Sequence, residues 1–246
     1  MSEWPVLSKP PVVVALFQLK FLRGNIDLAR IDEIDSAVRT VFPSRMNNVA
    51  ASIDMPSTPY PLGVSKFSGI THLDSITYFT QDQSRKLNIT TNDLTLSVEG
   101  RYSGWDVFKK DVIDLLLLFA PLLNQHVITR TSIRFINRFE MDRFEDPEEY
   151  FKTMISATGD NVLPFPVAKY GFQVTLNVSD NAYSIVNQSL DKLNEKYIYI
   201  FDIDVLDKRN LLFETSEIGN VMEGLRMIKN QIFFGNVTEK TLDLCR

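Results

Sequence analysis

"KYGFQVTLNVSDNAYSIVNQSLDKLNEKYIYIFDIDVL", residues 169–206, holds three strand-like runs and two short polar joints. The joints contain Ser179-Asp180-Asn181 and residues 191–195. Neither has room for a crossover helix, so the three runs predict an antiparallel meander. A doubly wound α/β sheet needs a helix between successive strands. This stretch therefore points to α+β.

The segments on either side extend the pattern. Downstream, "TSEIGNVMEGLRMIKNQIFFG" places Ile218, Val221, Met222, Leu225, Ile228 and Ile232 at intervals of three and four. That spacing predicts a long helix, with Thr215 or Ser216 as its cap and Gly235 just past its end. "NVTEKTLDLC" predicts one more short helix, capped by Thr238. Upstream, "EDPEEYFKTM" predicts a short helix around Pro147, and "ITRTSIRFINRFE" (residues 128–140) a strand. "SGWDVFKKDVIDLLLLFAPLLN" carries one apolar stripe through Trp105, Phe108, Val112, Leu115, Leu116 and Phe119, with Ser103 as the expected N-cap. "ITYFTQDQSRKLNITTNDLTLSVEGRY" predicts two strands turning near residues 90–93.

At the start, "VVVALFQLKF" (residues 12–21) predicts a strand buried on both faces at its beginning and emerging at its end. "IDLARIDEIDSAVRTVF" then changes period and predicts a helix, with Pro43 helping to stop it. Residues 43–70 hold four prolines and several serines and predict a long loop. The order is β-α-β-β-α-β, a short helix, then β-β-β-α. The expected architecture is α+β, with antiparallel sheets each covered by a long apolar helix. The two parts are loosely similar subdomains, residues 1–145 and 146–246, or segments of one compact domain.

Composition bounds the function. With 246 residues and 44% apolar content, the chain can bury a core without staples. The net charge of −5 does not suggest a broad nucleic-acid-binding surface. The single cysteine, Cys245, permits no internal disulfide and no cysteine-based metal site, which fits a cytoplasmic location. Glu3 and the lack of a basic n-region argue against a signal peptide. Asp114 and Pro121 interrupt the longest apolar run, so no membrane helix is expected.

Familiar catalytic patterns are missing. There is no phosphate-binding glycine loop and no G-x-S-x-G elbow, and His72 and His126 stand apart from any metal-spaced cluster. No cofactor, catalytic residue or metal centre is expected. Two polar sets remain. Arg130, Arg134 and Arg138 share one face of their strand, with Asn137 beside them as a further polar candidate. Such a stripe can meet phosphates or internal carboxylates. Asp202 and Asp204 share a face of another strand and suit a hard cation or an arginine; Glu99 and Glu214 are the candidate third acids. Pairing of the arginines with Glu140, Asp202 and Asp204 in one sheet explains both sets at once.

Several blocks together resemble an uncharacterised, sporadically distributed prokaryotic family of about this length. "KPPVVVALFQLKF" resembles its N-P-P-[IV]-V-E-A opening, and "TRTSIRFINRFE" its R-x-G-L-R-Y-I-N-R-I block. "GWDVFKKDVIDLLLLFAPLL" resembles its W-x-x-F helix, and "FFGNVTEKTLDLC" its F-x-x-x-I-T-D-x-x-x-x-L ending. Val14 stands where the family has Glu, and Ser132 where it has Gly. The resemblance implies α+β architecture and, from the sporadic distribution, a mobile defence or toxin–antitoxin type setting. The expected role is a non-enzymatic protein-interaction component that contacts a protein partner or a second copy of itself. The alternative is a nucleic-acid binder or metal-dependent nuclease using the arginine stripe and paired aspartates.

Overall fold

The computed structural model describes residues 4–22, 26–53, 69–100, 102–142, 147–153 and 169–246. Its strands, in chain order, are β1 (Val12–Phe21), β2 (Ser44–Ile53), β3 (Gly69–Phe79), β4 (Arg85–Thr90) and β5 (Asp93–Glu99). They continue with β6 (Val127–Met141), β7 (Tyr170–Asn177), β8 (Ala182–Leu193), β9 (Lys196–Asp207) and β10 (Leu211–Leu212). The helices are α1 (Asp35–Arg39), α2 (Trp105–Leu123), α3 (Thr215–Asn236) and α4 (Glu239–Asp243). The fold is α+β.

The strands form one antiparallel sheet in the order β2-β3-β4-β5-β1-β6-β9-β8-β7, with β10 also paired to β6. This corrects the expectation of separate sheets. The reason is β6, which runs for 15 residues. It pairs with β1 along one side and β9 along the other. Strands on both sides of β6 in the chain therefore belong to the same sheet.

Side-chain alternation divides the sheet into two faces. Phe17, Leu19, Leu94, Leu96, Ile133, Phe135, Phe201 and Ile203 point to one face and are buried. Phe233 of α3 stacks on Phe201 at 5.9 Å, and Phe108 of α2 meets Phe135 edge-on at 5.7 Å. Phe108 of α2 and Phe233 of α3 thus meet the same face of the sheet. Leu115 and Leu116 of α2 are buried, and truncating either to Ala costs roughly 2–5 kcal/mol. None of the described helices is long and apolar enough to cross a membrane.

Local differences from the sequence expectations have physical causes. In β1, the face bearing Val14, Leu16 and Gln18 is partly buried along its length, not buried first and exposed later. Residues 44–53, expected within a loop, form β2; Met46 and Val49 are exposed there, so no hydrophobic period marks the strand. The rest of that expected loop, 54–68, lies outside the described residues. Three strands, not two, occupy 69–99, because six-residue β4 buries only Leu87 and Ile89. The helix expected over 26–42 divides into a 3-10 turn, Leu28–Glu33, and the short α1, and Ile31, Ile34, Val38 and Phe42 still form its buried stripe. The helix expected around Pro147 is a single 3-10 turn, Pro147–Glu149.

The caps also differ. Gly104, not Ser103, holds the N-cap position of α2, with φ of +102°, a region open to glycine. Glu214 precedes α3, and the helix runs through Gly235 to Asn236. Thr238 does precede α4, but its hydroxyl donates to the carbonyls of Glu149 and Tyr150.

Candidate functional site

From Arg130 onward, the even-numbered residues of β6 lie on the face opposite Phe135 and Ile133. Arg130, Ser132, Arg134, Ile136 and Arg138 thus share the second face with Gln18 of β1 and with Asp202 and Asp204 of β9. Arg134 lies directly opposite Asp204 in the β6–β9 ladder. Its guanidinium nevertheless reaches diagonally to Asp202. Nε donates to Oδ1 at 2.9 Å and Nη2 to Oδ2 at 2.6 Å. Asn187 of β8 donates a third bond to Asp202, at 3.1 Å. The Arg134 side chain is 44% exposed and that of Asp202 only 6%. The cation thus lies over a carboxylate that water barely reaches. The bond to Asp202 raises the already high pKa of Arg134.

Asp204 has no comparable clasp among the described residues, and its buried Oδ1 has no hydrogen-bond partner among them. Burial pushes its pKa up to about 6; Arg134 and Arg130 pull it down, and Asp202 pushes it up. Arg130 donates to Gln18, which donates in turn to Thr95 of β5 at 3.1 Å. The Nε of Arg130 is also buried, with no partner among the described residues. Arg138 binds Glu140 at 2.8 Å, with both side chains exposed.

Three candidates stand apart. Asn137 points to the opposite, helix-covered face, where it is buried and donates to the carbonyl of Phe201 at 2.9 Å. Glu99 shares a cross-strand row with Val14, Ile136 and Asp202. Three ladder steps separate it from Asp202, about 14 Å at ordinary strand spacing. Glu214 lies ahead of α3 and accepts from Ser216. No group of three His, Cys, Asp or Glu that could hold a metal ion occurs among the described residues. His72 is exposed on β3, and His126 packs edge-on against Phe21.

Sequence reasoning missed two charged residues of α3, Glu223 and Lys229. Glu223 gathers three partners: Trp105 Nε1 at 3.0 Å, Lys109 Nζ at 2.7 Å and Arg226 Nη1 at 3.4 Å. Burial acts to raise its pKa, but the bonds from Lys109 and Trp105 outweigh it and hold the carboxyl low. Both residues lie on polar positions of an amphipathic helix, where a local pattern reads only as solvated surface.

Fold and polar face together define an α+β protein whose described strands form one antiparallel sheet with a clasped Arg–Asp pair on one face. No protein-family model matches the chain, and no curated protein matches it in sequence.

Proposed function

We propose that this chain is a non-enzymatic interaction protein, and that the outer edge of β7, from Gly171 to Asn177, joins it to a second copy of itself. One observation carries this reading. Tyr170–Asn177 pairs with β8 in unbroken register on one side and with no described strand on the other. Its eight residues include no charge and no proline. Two such edges can meet antiparallel about a twofold axis without like-charge repulsion or a missing N–H. Phe172, Val174 and Leu176 continue the helix-covered face toward this margin, while α3 packs on β6 and β9. A twofold mate covers that apolar row.

The opposite margin is protected. The β2–β3 ladder shifts register between Asn48 and Val49, and β2 carries Arg45, which is tied to Asp32 and Asp35. Bulges and charges are how edge strands avoid pairing.

A cytoplasmic role beside a further protein partner, in a mobile defence or toxin–antitoxin type module, belongs to the same proposal. Its support is the four-block resemblance, whose blocks fall on β1, α2, β6 and the α3–α4 corner. At Val14, where that family has Glu, the side chain sits between Glu99 and Ile136 on the polar face. The family's acid is therefore replaced beside the arginine stripe. Nucleic-acid binding or metal-dependent hydrolysis has less support, because Asp202 occupies the fork of Arg134 and Glu140 binds Arg138.

Hydrogen exchange of the full chain at two concentrations tests the edge. The β7 amides are expected to gain protection as concentration rises, while those of central β1 stay unchanged. Equal β7 exchange at both concentrations in a chain that has monomer mass, or β7 exchange as fast as that of an unpaired edge in a chain of dimer mass, removes the self-pairing reading.

A further inference from the structure

Both tryptophans of the chain line one open cavity of about 370 Å³. It lies where the N-terminal segment, the start of α2 and the later turns of α3 meet. Trp4 stacks face to face on Phe234 at 5.0 Å, and Tyr102 and Trp105 complete the aromatic walls.

Into this setting α3 presents Arg226, Lys229 and Asn230, which share a helix face. Arg226 lies over the Trp105 ring at 5.2 Å and contacts Glu223. Glu223 is already held by Trp105 and Lys109. Lys229 has no such partner. Its Nζ sits 4.7 Å from the centre of the Phe135 ring, with no carboxylate and no hydrogen bond among the described residues. Burial, and then Arg226, bring its pKa down to about 8. Asn230 is buried, and its amide likewise has no partner among the described residues. Asp106 is the one carboxylate among the described lining residues, against two cations. It stands in the first turn of α2, whose N-cap residue, Gly104, offers no side-chain cap.

A packed ammonium without a counterion is costly to fold. The Asn230 amide in the same lining, with no partner among the described residues, and the aromatic walls match the makeup of small-molecule pockets. We propose that this cavity binds a small anion carried on a planar apolar body, an aromatic carboxylate or phosphate. The anion lies against Lys229 and Arg226, Asn230 donates to it, and the ring stacks among the aromatic side chains. The site is independent of the β7 edge.

The two tryptophans make the site self-reporting. Benzoate and phenyl phosphate are titrated into the full chain while tryptophan emission is followed, with benzyl alcohol as the neutral probe. At least one anion is expected to change the emission saturably, and the one that does identifies carboxylate or phosphate as the charged group. Lys229→Met is expected to raise the Kd of that anion about tenfold, as loss of a charge-assisted contact does. It leaves the response to benzyl alcohol unchanged, and Lys229→Arg restores binding. Asn230→Asp adds a carboxylate to the same lining and gives a second, independent loss. No saturable response to either anion, or wild-type affinity in both Lys229→Met and Asn230→Asp, overturns the proposal.

Discussion

Arg134 passes over Asp204, its direct neighbour across the β6–β9 ladder, and clasps Asp202 with two hydrogen bonds of 2.9 and 2.6 Å. The choice has a consequence for each aspartate. Asp202 is buried and fully engaged, whereas Asp204 keeps a buried oxygen with no hydrogen-bond partner among the described residues. One carboxylate is anchored and its neighbour is strained electrostatically.

Removing the clasp exposes that asymmetry. Arg134→Ala leaves a buried carboxylate holding only its bond from Asn187. Loss of one partner of a buried pair costs roughly 3–5 kcal/mol, and the exposure of Arg134 reduces this to about 1–3 kcal/mol. Urea unfolding is expected to show that loss, with Arg134→Lys intermediate because a lysine cannot offer the two-pronged bond. A change within about 0.5 kcal/mol, typical of an unconstrained surface position, contradicts the clasp.

Asp204 sets a pH dependence of definite sign. Its carboxyl titrates at about 6 in the folded chain and near 3.9 when unfolded. Between those values the folded chain keeps a proton that the unfolded chain has released. Stability from this group therefore falls as pH rises from about 4 to about 6 and stays low above. Asp204→Asn is expected to stabilise the fold by about 1–3 kcal/mol at pH 7.5 and by nearly nothing at pH 4. Urea midpoints at both values check it, and an equal effect at each rules it out.

Phe151 offers a test of packing outside the sheet. It follows the 3-10 turn, is buried, and stacks on Tyr199 of β9 at 3.8 Å while bridging to Val237. Phe151→Ala is expected to cost about 3–5 kcal/mol. A loss under about 1 kcal/mol means that this segment does not anchor the sheet to the end of α3.

Much of this arrangement was readable in the chain. Period-two spacing alone places Arg130, Arg134 and Arg138 on one face, and Asp202 and Asp204 on another strand's face. The meander of β7, β8 and β9 follows from its two short joints. Register was not readable, since nothing local to β6 or β9 says that position 134 stands opposite 204. The single sheet was not readable either, because it depends on β6 pairing on both sides. Asn137 shows the limit of proximity in sequence: it follows Ile136 on the polar face, so it points to the other face. The aromatic cavity was least accessible. Trp4, Trp105 and Lys229 come from distant parts of the chain and meet only through tertiary packing.

The β7 edge carries the functional account, and its mass in solution tests that most directly. Sedimentation equilibrium of the full chain is expected to give twice the chain mass of 28.2 kDa, and Thr175→Pro together with Val174→Lys is expected to return it to a folded monomer. Monomer mass for the unaltered chain across the accessible concentration range, or a dimer that survives both substitutions, contradicts it.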